Sequence, residues 1–376
     1  MAFPPAKFNG PERHSAVFAS GAGLIAILPF PLYNKTNFKS NGCFNTAKGV
    51  FVTMSFSKRI LVLFPAQEQH QLLLEQSAPG CLFSYSSYKT VTKDQVQDAQ
   101  IIIGNPPADF VKDSPNLEWL HCNSAGVDAY LKEGILPKGT ALTNSTGAYG
   151  LAVSEHMLGM LLEIIKRLHT YRDAQKLHVW KSQGKVRSIY NSTVLVLGMG
   201  DIGGEFAKKV KALGAYVIGV RRTRGEKPDY ADELHLTEDM DSLLPRADIV
   251  AVSLPETKDT YHLFSRERLA LVKEGAVILN VGRGTVIDTE ALCDALESGH
   301  LFGAGLDVTD PEPLPENHRI WDIPNAVVTP HISGLYHLQE TFERVVRIAA
   351  ENLKHYANGE PLNNVVDFST GYRMKQ

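Results

Sequence analysis

A two-domain α/β fold with parallel sheets is predicted for this chain, and three observations predict it. From Lys58 onward, apolar runs of four to seven residues alternate with longer helical patterns; a glycine-rich turn follows one such run near mid-chain; and 376 residues exceed what a single core usually serves. The runs are "ILVLF", "QIIIG", "LEWLHCN", "TVLVLG", "YVIGV", "DIVAVS", "AVILNV" and "NAVVTP". Uniformly apolar strands need cover on both faces, which helices flanking a parallel sheet provide.

Residues 1–57 stand apart as an N-terminal extension. The first 53 hold five Lys/Arg against one acid, Glu12, and the run "GAGLIAILPFPLY", which Pro29 and Pro31 interrupt and which is too short to span a bilayer. They are expected to be disordered or to precede a natural start at Met54, with organelle targeting as the weaker alternative. The first domain begins at residue 58 and runs to 152. Residues 151–175, "LAVSEHMLGMLLEIIKRLHTYRDAQ", read as one helix, apolar over more than one face and so covered from two sides. A second subunit is expected to supply part of that cover, making the protein a homodimer. A second domain occupies 153–332, and the chain returns to the first over 333–376 through "LYHLQETFERVVRIAAENLKHYANG".

Composition narrows the function. A net charge of −3 argues against a general nucleic-acid or membrane surface, which would select a basic face. Cys43, Cys81, Cys122 and Cys293 are scattered without CxxC spacing, so neither a disulfide framework nor a metal site is expected. Free thiols suit a reducing compartment, and a cytoplasmic location is expected.

The segment "TVLVLGMGDIGGEFAKKVKALGAYVIGVRR" carries the first chemical signal. Gly198, Gly200 and Gly203 form GxGxxG directly after an apolar strand, opening a helix whose Ile202, Phe206, Val210 and Leu213 recur at helical spacing. This context makes the pattern a Rossmann dinucleotide fingerprint. Gly198 permits the turn, Gly200 lets the backbone approach a pyrophosphate, and Gly203 lets helix and strand pack closely. N–H groups at the helix start would hold the pyrophosphate. Arg221 ends the next strand 23 residues after Gly198, followed by Arg222 and Arg224. An acid there would accept from a ribose 2′-OH, whereas arginines suit a 2′-phosphate through charge-assisted bonds of about 1.5–3 kcal/mol each. NADP(H) is therefore the preferred cofactor, with NAD(H) possible.

Over residues 58–367 the sequence resembles the D-isomer-specific 2-hydroxyacid dehydrogenases. The resemblance rests on "NSAGVD" (123–128), "TNSTGAYGLAVSEH" (143–156), "GMGDIGGEFA" (198–207), "LPETKDT" (254–260), "NVGRGTVID" (280–288), "GAGLDVTDPEPLP" (303–315), "TPHISG" (329–334) and "NNVVD" (363–367). The arginine-bearing strand end is similar to NADPH-preferring glyoxylate and hydroxypyruvate reductases. The implied architecture is a Rossmann domain inserted into a flavodoxin-like substrate domain, with the active site between them.

Reducing a 2-keto acid needs an anchor for its carboxylate, a polariser for the ketone and a proton donor for the oxygen. The resemblance assigns these tasks to an Arg, a Glu and a His, which fall on Arg283, Glu312 and His331. The guanidinium fork suits a carboxylate. His331 follows the strand "AVVTP", at the carboxyl end where open sheets place ligands, and a carboxylate beside an imidazole favours its protonated form. The resemblance further implies that main-chain N–H groups at Ala125 and Gly126 meet the substrate carboxylate. It implies cofactor contacts from Asp201, Ile202, Thr223, Leu254, Pro255, Thr260, Val281, Gly282, Asp307 (near the nicotinamide carboxamide) and Gly334. The expected reaction is reduction of a small 2-keto acid such as glyoxylate or hydroxypyruvate to the D-2-hydroxy acid, with selectivity set around Tyr85, Tyr88 and Asn123. The alternatives are a phosphoglycerate-dehydrogenase-type enzyme and a cofactor-sensing protein like the corepressors of this fold.

Overall fold

The computed structural model describes residues 57–374; the expectations for the N-terminal extension and for Cys43 lie outside the described residues. The first sheet contains β1 (Arg59–Val62), β2 (Leu82–Tyr85), β3 (Ile101–Ile103), β4 (Trp119–His121) and β5 (Ala141–Thr143), all parallel in the order β2-β1-β3-β4-β5. The second contains β6 (Thr193–Leu197), β7 (Tyr216–Arg221), β8 (Glu233–Leu236), β9 (Ile249–Val252), β10 (Val277–Asn280), β11 (Gly303–Leu306) and β12 (Ala326–Val328). It too is parallel throughout, in the order β12-β11-β10-β9-β6-β7-β8. The first order is flavodoxin-like; the second is the Rossmann order extended by one strand. The strand order reverses at β6, and open α/β sheets bind ligands beyond their carboxyl ends at such a switch point.

Each apolar run named from the sequence contains a strand, whereas β2, β5, β8 and β11 left no such pattern. The first three are short sheet edges, and β2 and β8 have no fully buried residue to mark them. β11 is wholly buried yet reads GAGL. Glycine is disfavoured in strands, but the helix Gly150–Ile165 lies directly across this one. A methyl group at 303 would meet Ile164 Cγ2 at 2.5 Å, and one at 305 would meet Leu279 Cδ2 at 2.8 Å and Met160 Cβ at 3.1 Å.

The single helix expected over 151–175 is two, Gly150–Ile165 and Leu168–Lys176. Arg167 lies between them in the left-handed region at φ +55° and breaks the ladder. Val153, Met157, Met160, Leu161, Ile164 and Ile165 of the first are buried, and that helix packs on the helix Asp201–Ala212 and on β10 to β12. Only Ala174 of the second is buried, so the apolar stripe ends where the direction changes.

The terminal helix Gln339–Asn358 returns to the first sheet, where the Phe342 ring lies 5.6 Å from Phe64 and 5.0 Å from His70. Beyond it, Val365 bridges antiparallel to Thr143 and so covers the β5 edge. His121 of β4 is fully buried between Thr143 and Ser145, and burial pushes its pKa down to about 3, making it a neutral structural histidine. Cys122 and Cys293 are buried free thiols. Among the described residues, no helix is long and apolar enough to cross a membrane.

Candidate active site

One register row runs across the second sheet through Val220, Leu197, Val252, Asn280, Leu306 and Val328. Immediately beyond it, on neighbouring strands, stand Arg221, Gly198, Leu254 with Pro255, Val281 to Arg283, Asp307 and His331. Parallel strands lie about 4.8 Å apart, so residues scattered from 198 to 331 share one edge. The ladder continues into the loops, with Asp307 N–H donating to Asn280 O (3.0 Å) and His331 N–H to Asp307 O (2.8 Å).

The glycine turn has the geometry of a phosphate cradle. Gly198 adopts φ +94°, and a methyl group at 203 would sit 2.0 Å from the Gly198 carbonyl oxygen. Nothing lies within 4 Å of where a methyl group on Gly200 would point, so the backbone is open there. The helix starts at Asp201, and its first N–H groups have no intrahelical partner. The main-chain donors, the open space and the helix start fit a dinucleotide pyrophosphate. Gly203→Ala forces backbone against backbone and is expected to lower unfolding free energy by about 1–3 kcal/mol. Urea denaturation checks this, and an unshifted midpoint would mean that the close approach is unnecessary.

Several residues assigned to the cofactor have other work for their side chains. Asp201 turns away from the turn and accepts from Gly147 N (3.0 Å) and Gly150 N (2.8 Å), tying the helix Asp201–Ala212 to the first sheet's loops. Ile202 is half-buried against the main core. The Thr260 hydroxyl donates to Pro255 O (2.7 Å) and accepts from Thr257 N (2.8 Å), tightening the loop after β9. Gly282 lies against Leu254, where a methyl group would meet the Leu254 carbonyl oxygen at 2.4 Å. Val281 is buried, and Gly334 faces Tyr149.

Arg221 and Arg222 turn to different neighbours. Arg221 folds onto its own loop, donating to Thr223 O (2.6 Å) and Arg224 O (3.1 Å). Arg222 instead stacks on Tyr372, its Cζ 4.3 Å from the ring centroid. Arg221 therefore shapes the turn that presents Arg222 and Thr223.

At the other end of the row, Arg283 reaches the first sheet's loop. Its Nε and Nη2 donate to Asp128 Oδ2 at 2.9 and 2.8 Å, and Nη1 donates to Gly282 O at 2.8 Å. The guanidinium lies over Gly126, where a methyl group would come within 1.5 Å of Nη2. The loop's carbonyls point inward: Asn144 donates to Ala125 O (2.7 Å) and Ser124 Oγ to Gly126 O. Among the described residues, the N–H groups of Ala125 and Gly126 have no acceptor. A guanidinium thus lies beside a loop whose N–H groups at 125 and 126 are unmatched, donor types suited to a carboxylate.

His331 Nδ1 lies 2.7 Å from Glu312 Oε1, with both side chains nearly half exposed (46% and 44%). Glu312 is engaged with the imidazole, a different task from polarising a ketone directly. His331 adopts φ +51°, and the segment around it is held by Asp307, which is 1% exposed. One Asp307 oxygen accepts from Thr329 Oγ1 (2.6 Å) and Ile332 N (3.0 Å), and the other from Ser333 N (3.1 Å) and Ser333 Oγ. Asp307 is therefore aimed at the His331 segment, whereas the sequence reading assigned it to the nicotinamide.

Sequence reasoning missed Asp128, Tyr336 and Tyr372. Asp128 closes the quoted block "NSAGVD" and could have been found as a carboxylate beside a candidate anion loop. Tyr336, which bonds Asn123 through its hydroxyl, and Tyr372 carry no local signal.

Comparison with known proteins identifies the family. Residues 158–333 match the family model "D-isomer specific 2-hydroxyacid dehydrogenase, NAD binding domain". Glyoxylate/hydroxypyruvate reductase B of Pectobacterium carotovorum is 32% identical over 272 residues, 70% of this chain and 83% of that protein. Among solved structures, a D-isomer-specific 2-hydroxyacid dehydrogenase from Xanthobacter autotrophicus Py2 with NADPH and MES superposes with a TM-score of 0.71 at 29% identity, covering 84% of this chain and all of that one. An NADPH-dependent glyoxylate/hydroxypyruvate reductase from Sinorhizobium meliloti, with NADP and sulfate, gives a TM-score of 0.71 at 26% identity and the same coverage.

Fold and site define an NAD(P)-dependent oxidoreductase. The chain belongs to the D-isomer-specific 2-hydroxyacid dehydrogenase family, and within it is similar to the glyoxylate/hydroxypyruvate reductases.

Proposed function

We propose that this protein reduces a small 2-keto acid, glyoxylate or hydroxypyruvate in type, to the D-2-hydroxy acid, with NADP(H) preferred over NAD(H). The observation that carries the reading is the His331–Glu312 pair at 2.7 Å beyond the second sheet, whose Arg283 reaches across to lie over Gly126 in the first sheet's loop. When bound, the nicotinamide supplies a hydride to the carbonyl carbon. Arg283 and the two N–H groups hold the carboxylate and fix which face of the ketone is presented. As the carbonyl carbon gains the hydride, its oxygen takes a proton from Nε2 of His331, the ring nitrogen opposite the one bonded to Glu312. Glu312 fixes the ring plane and stabilises the imidazolium before transfer. The exposure of His331 lets water restore the proton afterwards.

We assign residues 58–152 and 333–376 to the substrate domain and 153–332 to the dinucleotide domain. A homodimer is the proposed assembly, because Leu168, Tyr171, Leu177, Val179 and Trp180 expose apolar surface along one stretch of chain. A cytoplasmic location accords with the free thiols.

The test is steady-state turnover on glyoxylate, hydroxypyruvate and a bulky 2-keto acid, followed by nicotinamide absorbance with each cofactor. The two small acids are expected to turn over fastest, with a lower KM for NADPH than for NADH. Equal constants for the two cofactors would remove the NADP(H) assignment, and no turnover on any acid would remove the reductase.

A further inference from the structure

The C-terminal segment forms a built hairpin whose tyrosine reaches the second sheet. Val366 pairs antiparallel with Arg373, Asp367 N–H donates to Tyr372 O (2.9 Å), and Met374 N–H donates to Val365 O (2.7 Å). The Asp367 carboxylate closes the turn, accepting from Ser369 N (2.9 Å), Ser369 Oγ (2.7 Å) and Thr370 Oγ1 (3.0 Å), and Gly371 takes φ +70°. The hairpin is anchored on β5 through Val366 N–H to Leu142 O (2.9 Å). From that base the Tyr372 ring lies against Arg222 in the loop after β7. β7 neighbours β6, the strand that ends in the glycine turn, so this loop is on the side of the switch point where the adenosine half of a dinucleotide lies.

Arg221 is committed to carbonyls of its own loop, whereas among the described residues the N–H groups of Arg222 have no hydrogen-bond acceptor. A guanidinium stacked by one face keeps its donor edge available for a bidentate contact with phosphate. We propose that Tyr372 is a positioning residue that holds Arg222 ready for the 2′-phosphate of NADP(H), so that cofactor choice depends on the C-terminal hairpin of the substrate domain. This rests on the NADP(H) preference proposed above. Fixing one long side chain before binding lowers the ordering cost of the phosphate contact, and a plain 2′-OH gains nothing from it.

The test compares the dissociation constants for NADPH and NADH, from fluorescence titration without keto acid, alongside the matching KM values, in the full chain and in Tyr372→Ala, Tyr372→Phe and Arg222→Ala, each checked for unchanged thermal unfolding. Tyr372→Ala is expected to raise the NADPH constant about 3- to 10-fold, the size of a cation–π contact, and to leave the NADH constant in place. Tyr372→Phe, which keeps the ring, is expected to restore the NADPH constant. A fall in both constants for Tyr372→Ala would overturn the inference and make the tyrosine an obstruction in the adenosine site; an equal rise or no change would overturn it as well. If Arg222→Ala loses the preference while Tyr372→Ala keeps it, only the role of Tyr372 fails. If wild type shows no preference and Arg222→Ala alters neither constant, the cofactor reading itself fails.

Discussion

Replacing His331 by alanine is expected to lower kcat by about 10²- to 10⁴-fold, the usual contribution of a positioned general acid, while leaving cofactor affinity in place. The ring is fixed from two directions: Glu312 engages Nδ1 at 2.7 Å, and the backbone of residues 331–333 is pinned to the Asp307 carbonyl and carboxylate. Alanine removes the proton donor and leaves the backbone bonds intact, so the loss should fall on kcat with the fold retained. Steady-state kinetics with a parallel cofactor titration separates the two effects. Undiminished turnover would exclude His331 as the acid. Because both side chains are partly exposed, the pair is worth little in stability, and a large fall in unfolding temperature would instead mark a structural role.

Gly126→Ala is expected to fold and yet lose about 10²-fold in kcat/KM, the scale of a misplacement near 1 Å at a reacting centre. A methyl group there falls 1.5 Å from Arg283 Nη2 and 3.2 Å from Asp128 Oδ2, so the guanidinium must leave the anion loop. The displaced atoms are the far end of a long side chain, which can move at little cost to the fold. This separates Gly126 from Gly203, where the obstructing atom is a backbone carbonyl. The loss should appear in KM for the keto acid as well as in kcat, and wild-type kinetics with normal unfolding would show that Arg283 need not lie over this glycine.

The eight strands named from the sequence were legible because each is a short apolar run between turn residues, and the glycine turn because its backbone requirements are met by one residue type. The edges β2 and β8 were illegible, since a half-exposed strand of four residues carries no distinctive pattern, and β5 because it is only three residues long. β11 hid behind the glycines that let the helix Gly150–Ile165 approach it. The break at Arg167 was missed because the apolar pattern of one helix ran into the start of the next.

The amino-acid sequence alone determined the parallel α/β class and the strand ends that carry Gly198, Arg221, Arg283 and His331. Those follow from local hydrophobic periodicity and from backbone limits that act within a few residues. Only the tertiary structure decided which side chains complete them: Asp128 on Arg283, 155 residues away in the chain, Asp307 beneath the His331 segment, and Tyr372 against Arg222. Those pairings arise where loops from different strands meet, and a hydrogen bond or ring contact between them depends on packing to within an ångström, which no local pattern encodes.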